Sequence, residues 1–137
     1  MADTFQLEIV TPDKQVVNDV AEEAQVPAKG GYIGILPGHA PLITELGVGE
    51  ISYRKGGETA RLAVAWGFAE VLPTKVTILA ETAERAEEID VNRAQRAKEQ
   101  AQQVLQSTPA GTDDDKRSHA EAAFERAGAR LEVAAKK

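Results

Sequence analysis

The chain has 137 residues, enough for one domain of ordinary size or a small domain with an appendage, but not for two large cores. It carries 22 acidic against 16 basic residues, a net charge of −6, which argues against nucleic acid or an anionic membrane as its principal partner. It has no cysteine, so disulfides and thiolate metal sites are excluded and a reducing compartment is allowed.

The opening MADTFQLEIV enters a strand pattern directly rather than a charged-then-apolar leader. The longest nearly apolar stretch, LAVAWGFA at 62–69, is far too short to cross a bilayer. A soluble protein, cytosolic or attached to something larger, is expected.

Residues 1–85 alternate with period two. FQLEIV sets Phe5, Leu7 and Ile9 on one face and Gln6 and Glu8 on the other, as a half-buried strand requires. TPDK then turns the chain. EISYRKGGETARLAVA (50–65) predicts a hairpin with Gly56 and Gly57 at its tip, where positive φ is needed, and FAEVLPTKVTILAE (68–81) predicts another turning at Pro73. Of eleven glycines only Gly111 and Gly128 lie beyond this part, and of six prolines only Pro109 does. Short strands with regularly spaced turns indicate an all-β sandwich or barrel.

From Ile89 the period becomes 3.6. Ala94, Ala97, Ala101, Val104 and Leu105 share one helix face; QSTPAGTDDD (106–115) breaks the helix and starts another. The second helix gathers Ala120, Ala123, Phe124, Ala127, Leu131 and Ala134 on one face. So short a break gives an antiparallel hairpin. The fold class expected is therefore α+β: an N-terminal all-β sandwich over 1–86, then a C-terminal antiparallel two-helix hairpin over 87–137. Each alanine in the hairpin seam contributes roughly 2 kcal/mol less than a buried leucine would. A weakly held hairpin can populate a second arrangement, although small seam residues also serve simply to let two helices pack closely.

Catalytic signatures are absent. His39 and His119 lie in no metal-spaced cluster, GGYIG lacks the context of a dinucleotide fingerprint, and Ser52, Ser107 and Ser118 sit in no nucleophile elbow. One constellation remains. With helices over about 90–106 and 115–135, facing residues have indices summing to about 221. That brings Asp90 and Arg93 toward Arg126 and Arg130 at the open end of the hairpin. Asp90 can cap the first helix or pair with Arg130, the other arginines being solvated. Alternatively, three guanidiniums around one carboxylate form an anion site shaped for phosphate.

GILPGHAPLITEL (34–46), WGFAEVLPTKVTILAETAERAEEID (66–90) and VTP (10–12) together resemble the ε subunit of F-type ATP synthases, along essentially the whole chain. The resemblance implies a non-catalytic central-stalk (rotor) subunit on the cytoplasmic face of the bacterial plasma membrane. Its sandwich would dock on the γ subunit and the ring of c subunits, with Tyr32, His39 and Pro41 at that interface. Its hairpin would fold down or extend along γ to the α/β catalytic head and restrain ATP hydrolysis. No cofactor is implied beyond a possible regulatory ATP. The family's motif for it is matched by Ile89, Asp90, Arg93 and Ala94, completed by Arg126, Arg130 and Glu84. Gln100 and His119 stand where ATP-binding members can carry further arginines, and Tyr32 stands where members often have an acid. A free-standing nucleotide-sensing module is the competing expectation.

Overall fold

The computed structural model describes residues 3–136. Seven strands come first: β1 (Phe5–Val10), β2 (Gln15–Ala21), β3 (Glu23–Ala28), β4 (Gly31–Ile35), β5 (Leu42–Lys55), β6 (Glu58–Val71) and β7 (Lys75–Arg85). A 3-10 turn, Ala86–Glu88, leads to α1 (Val91–Ser107) and α2 (Asp114–Ala134). The strands form one hydrogen-bonded ladder in the order β2-β1-β7-β6-β5-β3-β4, antiparallel except for the β1–β7 pair.

The ladder folds over on itself into a sandwich. Phe5, Leu7 and Ile9 point inward from β1 and meet Val17, Ile51, Leu62, Val64, Val76 and Ile78 in one core. Across the closing edge, Lys55 on β5 donates to Asp19 on β2 at 2.7 Å. Gly56 and Gly57 take φ of 58° and 84°, both in the left-handed region that a tight two-residue hairpin demands, and the β5–β6 ladder closes at Lys55 and Glu58. The long strand β6 bends at Trp66–Gly67. Trp66 has φ 51°, uncommon for a bulky residue, and Gly67 has φ 126°. A Cβ at Gly67 would lie 1.9 Å from the Leu79 carbonyl oxygen, so only glycine fits the bend.

The hairpin packs on the outside of β5 and β6 almost wholly through α2, and α1 rests on α2. Here a second, smaller cluster forms from Ala63, Ala86, Ile89, Val133 and Ala134, separate from the sandwich core. Arg117, which donates to the Leu105 and Thr108 carbonyls, and Lys98, which sits over the Phe124 ring, tie the two helices together. Among the described residues no helix is long and apolar enough to cross a membrane.

Candidate functional site

Asp90 begins α1. Its backbone is extended, with φ −80° and ψ 98°, and its carboxylate accepts from the Arg93 N–H at 3.0 Å. This is the N-cap that the residue type and position prescribe, because the first N–H groups of a helix have no partner within it. The alternative pairing of Asp90 with Arg130 does not occur. Arg130 instead reaches Glu84 at the end of β7, with Nε 3.2 Å from the carboxylate. Among the described residues Asp90 and Arg93 enter no ion pair.

Glu84, Asp90, Arg93, Ala94, Ala97, Arg126 and Arg130 line one pocket of about 230 Å³ between α1, α2 and the end of β7. Six of the seven residues expected at an anion site therefore share one cavity. The exception is Ile89, which turns away into the small cluster with Val133 and Ala134. Glu84 and Asp90 offset two of the three guanidiniums, so the side chains leave an excess of one positive charge (3 − 2), less than three arginines around a lone carboxylate would give. Gln100 and His119 belong to a neighbouring, mostly apolar groove that continues along the hairpin from Ala97.

Trp66 is a further member of this site that its sequence context does not announce. Its indole lies under Arg126, with the guanidinium carbon 5.3 Å from the ring centroid. The stack holds Arg126 at the pocket wall while leaving its N–H edge available for hydrogen bonds. The available signal was a lone tryptophan directly before a glycine in an otherwise alanine- and valine-rich strand.

Tyr32, His39 and Pro41 do not form one cluster. The Tyr32 hydroxyl fills the notch left by Gly49 and accepts from the Glu50 N–H at 2.9 Å, in a groove also lined by Phe124, Gly128 and Glu132 of α2. His39 and Pro41 lie in the loop after β4. There Gly38 has φ 87°, its N–H donates to the Pro73 carbonyl at 2.8 Å, and His39 Nδ1 lies 2.7 Å from the Ala40 carbonyl oxygen. Around this loop and on the adjoining outer face, Leu36, Ile43, Phe68 and Leu79 are each more than half exposed.

Two family models divide the chain between them. Residues 4–86 match the β-sandwich domain of the ATP synthase delta/epsilon chain, and residues 87–135 match its long α-helix domain. The chain belongs to the ATP synthase delta/epsilon family. Among curated members, the ATP synthase epsilon chain of Koribacter versatilis is 73% identical over 108 residues, covering 79% of this chain and 76% of its own. That of Solibacter usitatus is 47% identical over 137 residues, with all of both chains covered. Among solved structures, a chain of the Euglena gracilis mitochondrial ATP synthase superposes with a TM-score of 0.81 at 24% identity, covering 98% of this chain and 83% of that one. A chain from the Tetrahymena thermophila enzyme gives 0.59 at 11% identity, covering 96% and 94%. At these identities the structural matches establish the fold.

Proposed function

We propose that this chain is a non-catalytic central-stalk subunit of a proton-translocating F-type ATP synthase, and that its hairpin restrains ATP hydrolysis. Support comes from family membership across both domains, and from the printed descriptions of the structural relatives, one a chain of an F1/c-ring assembly and the other of a central stalk and c-ring. The exposed side chains Leu36, Ile43, Phe68 and Leu79 supply an apolar surface for docking, with His39 and Pro41 in the adjoining loop. In this reading that surface meets the γ subunit and the ring of c subunits, and the protein is peripheral on the cytoplasmic face of the membrane. Tyr32 is set apart from that surface, against the hairpin.

The observation that carries the regulatory half is the pocket of Glu84, Asp90, Arg93, Ala94, Arg126 and Arg130, at the junction of hairpin and sandwich. A ligand there touches α1, α2 and β7 at once, so its binding energy favours the folded-down hairpin over any arrangement that separates them. In our reading the ligand is ATP. At about 230 Å³ the pocket is smaller than the ~300–1,000 Å³ usual for a whole drug-sized ligand. It suits the phosphates, with the remainder of the nucleotide outside it.

Two measurements test the proposal. Calorimetric titration of the isolated protein with ATP should give a saturable heat that Arg126→Ala diminishes; absence of heat at millimolar nucleotide would reduce Asp90 to a helix cap and Arg130 to an ion pair. Deleting residues 88–137 should preserve binding to γ and raise ATP hydrolysis by the assembled enzyme. Unchanged hydrolysis would remove the regulatory role, and a chain that never joins γ would favour the free-standing module.

A further inference from the structure

Glu50 is a second junction between hairpin and sandwich, away from the anion pocket. Its side chain, on β5, retains only 15% of its exposure. One carboxylate oxygen accepts from Arg61 of β6 at 2.7 Å, and the other accepts from Lys136, just beyond α2, at 3.1 Å. The backbone at this position is held as well, because the Glu50 N–H donates to the Tyr32 hydroxyl at 2.9 Å. The adjacent Gly49 leaves the room for that hydroxyl: a Cβ there would lie 2.4 Å from it. Val133 and Ala134, in the last turn of α2, belong to the small cluster beside this junction.

Arg61 comes from the sandwich itself, so it compensates one Glu50 oxygen whether or not the hairpin is docked. Lys136 arrives only with α2. When α2 lies over this part of the sheet, the second oxygen exchanges part of its water for Lys136, whose own side chain stays half exposed. When α2 leaves, water returns. A partly buried carboxylate of this kind penalises docking unless the incoming helix brings its own cation.

We propose that Lys136 and Glu50 form an electrostatic latch that sets the docked fraction of the hairpin, independently of any ligand in the arginine pocket. Its importance for regulation rests on the mobile-hairpin reading above; the latch itself is a property of the isolated chain. The molecule carries its own reporter. Trp66 is the single tryptophan, and it lies beneath Arg126 of α2, so undocking uncovers the indole.

The test uses the full chain without nucleotide. Lys136→Gln should shift Trp66 emission to the red and raise amide exchange in α2 about five-fold, the size expected for an ion pair worth about 1 kcal/mol. Exchange in β1 and β7 should stay unchanged, which separates undocking from unfolding. Lys136→Arg should restore the wild-type spectrum. In a double-mutant cycle with Glu50→Gln the two effects should be strongly non-additive. Wild-type emission and exchange in Lys136→Gln, or simple additivity in the cycle, would overturn the latch. Release of the hairpin in Lys136→Gln with unchanged hydrolysis by the assembled enzyme would uphold the latch and count against the regulatory reading.

Discussion

The described residues form two hydrophobic clusters built under the same rules but with different amounts of carbon. The sandwich core is filled by Leu7, Ile9, Ile35, Ile51, Leu62 and Ile78, all nearly inaccessible to water, together with several valines. The cluster under the hairpin consists of Ala63, Ala86, Ile89, Val133 and Ala134, three of the five being alanine. Burial is nearly as complete in the second as in the first, but hydrophobic stabilisation follows the apolar area removed from water, not the fraction of a small side chain that is covered. The first cluster holds a permanent scaffold. The second holds an element that polar contacts at Glu84, Trp66 and Glu50 must help to keep in place.

The contrast is broken most severely by truncating the sandwich core. Ile78→Ala should cost about 3–4 kcal/mol in chemical denaturation and loosen the whole chain, whereas Val133→Ala should cost about 1–2 kcal/mol and act only on the hairpin. Hydrogen exchange along β1 and α2 distinguishes them; global loosening by Val133→Ala would show that the two clusters are one cooperative unit. Next comes the bend in β6. Gly67→Ala places a Cβ against the Leu79 carbonyl in a backbone conformation foreign to alanine, and should cost at least about 2 kcal/mol in the same assay. Wild-type stability would mean that β6 can straighten.

At the seam, Asp90→Ala should lose about 1 kcal/mol through the cap, read as faster exchange in the first turn of α1. Asp90→Asn keeps the cap and removes the charge, so it separates capping from any role in the pocket. The smallest expected effect is at Asp19, whose carboxyl is held below its ordinary value of 3.8 chiefly by the hydrogen bond from Lys55. A lowered folded-state value contributes stability above 3.8 that is lost as pH falls through the folded value. Asp19→Asn should therefore slightly lower stability at pH above 3.8, leave it unchanged below the folded-state value, and so flatten the acid limb of the profile. An identical acid limb in the two proteins would show that this exposed pair contributes nothing.

What could be read in advance was local. The alternation of Phe5, Leu7 and Ile9, the paired glycines at 56–57 and the capping aspartate at 90 each follow from a few neighbouring residues, and the structure shows all three. The helix-facing arithmetic also sufficed to bring Arg93 near Arg126, because two antiparallel helices leave little freedom of register. Non-local partners were not legible. Nothing near Glu84 in sequence announces Arg130, and that pair removes one of the charges expected to await an anion. Val133 lies off the single stripe expected for α2, yet it is fully buried, because α2 leans on the sheet as well as on α1. The bend at Trp66 was hidden because Trp66 and Phe68 continue the apolar even-numbered pattern of Leu62 and Val64, whereas the core-facing side switches at the bend to Ala69 and Val71 and leaves Phe68 exposed.

The link between the two domains is short. Strand β7 ends at Arg85 and α1 begins at Val91, with only the 3-10 turn, Ile89 and Asp90 between them. If the hairpin moves as proposed, those few residues are its pivot, and α1, 17 residues long, is the first arm of a lever about 25 Å in length. A small rotation at the pivot therefore becomes a displacement of many ångströms at the helix tip, near Thr108. In the mobile-hairpin reading proposed above, parting two ion pairs, one cation–π stack and a small alanine-rich cluster would release a movement large enough for a distant partner to feel.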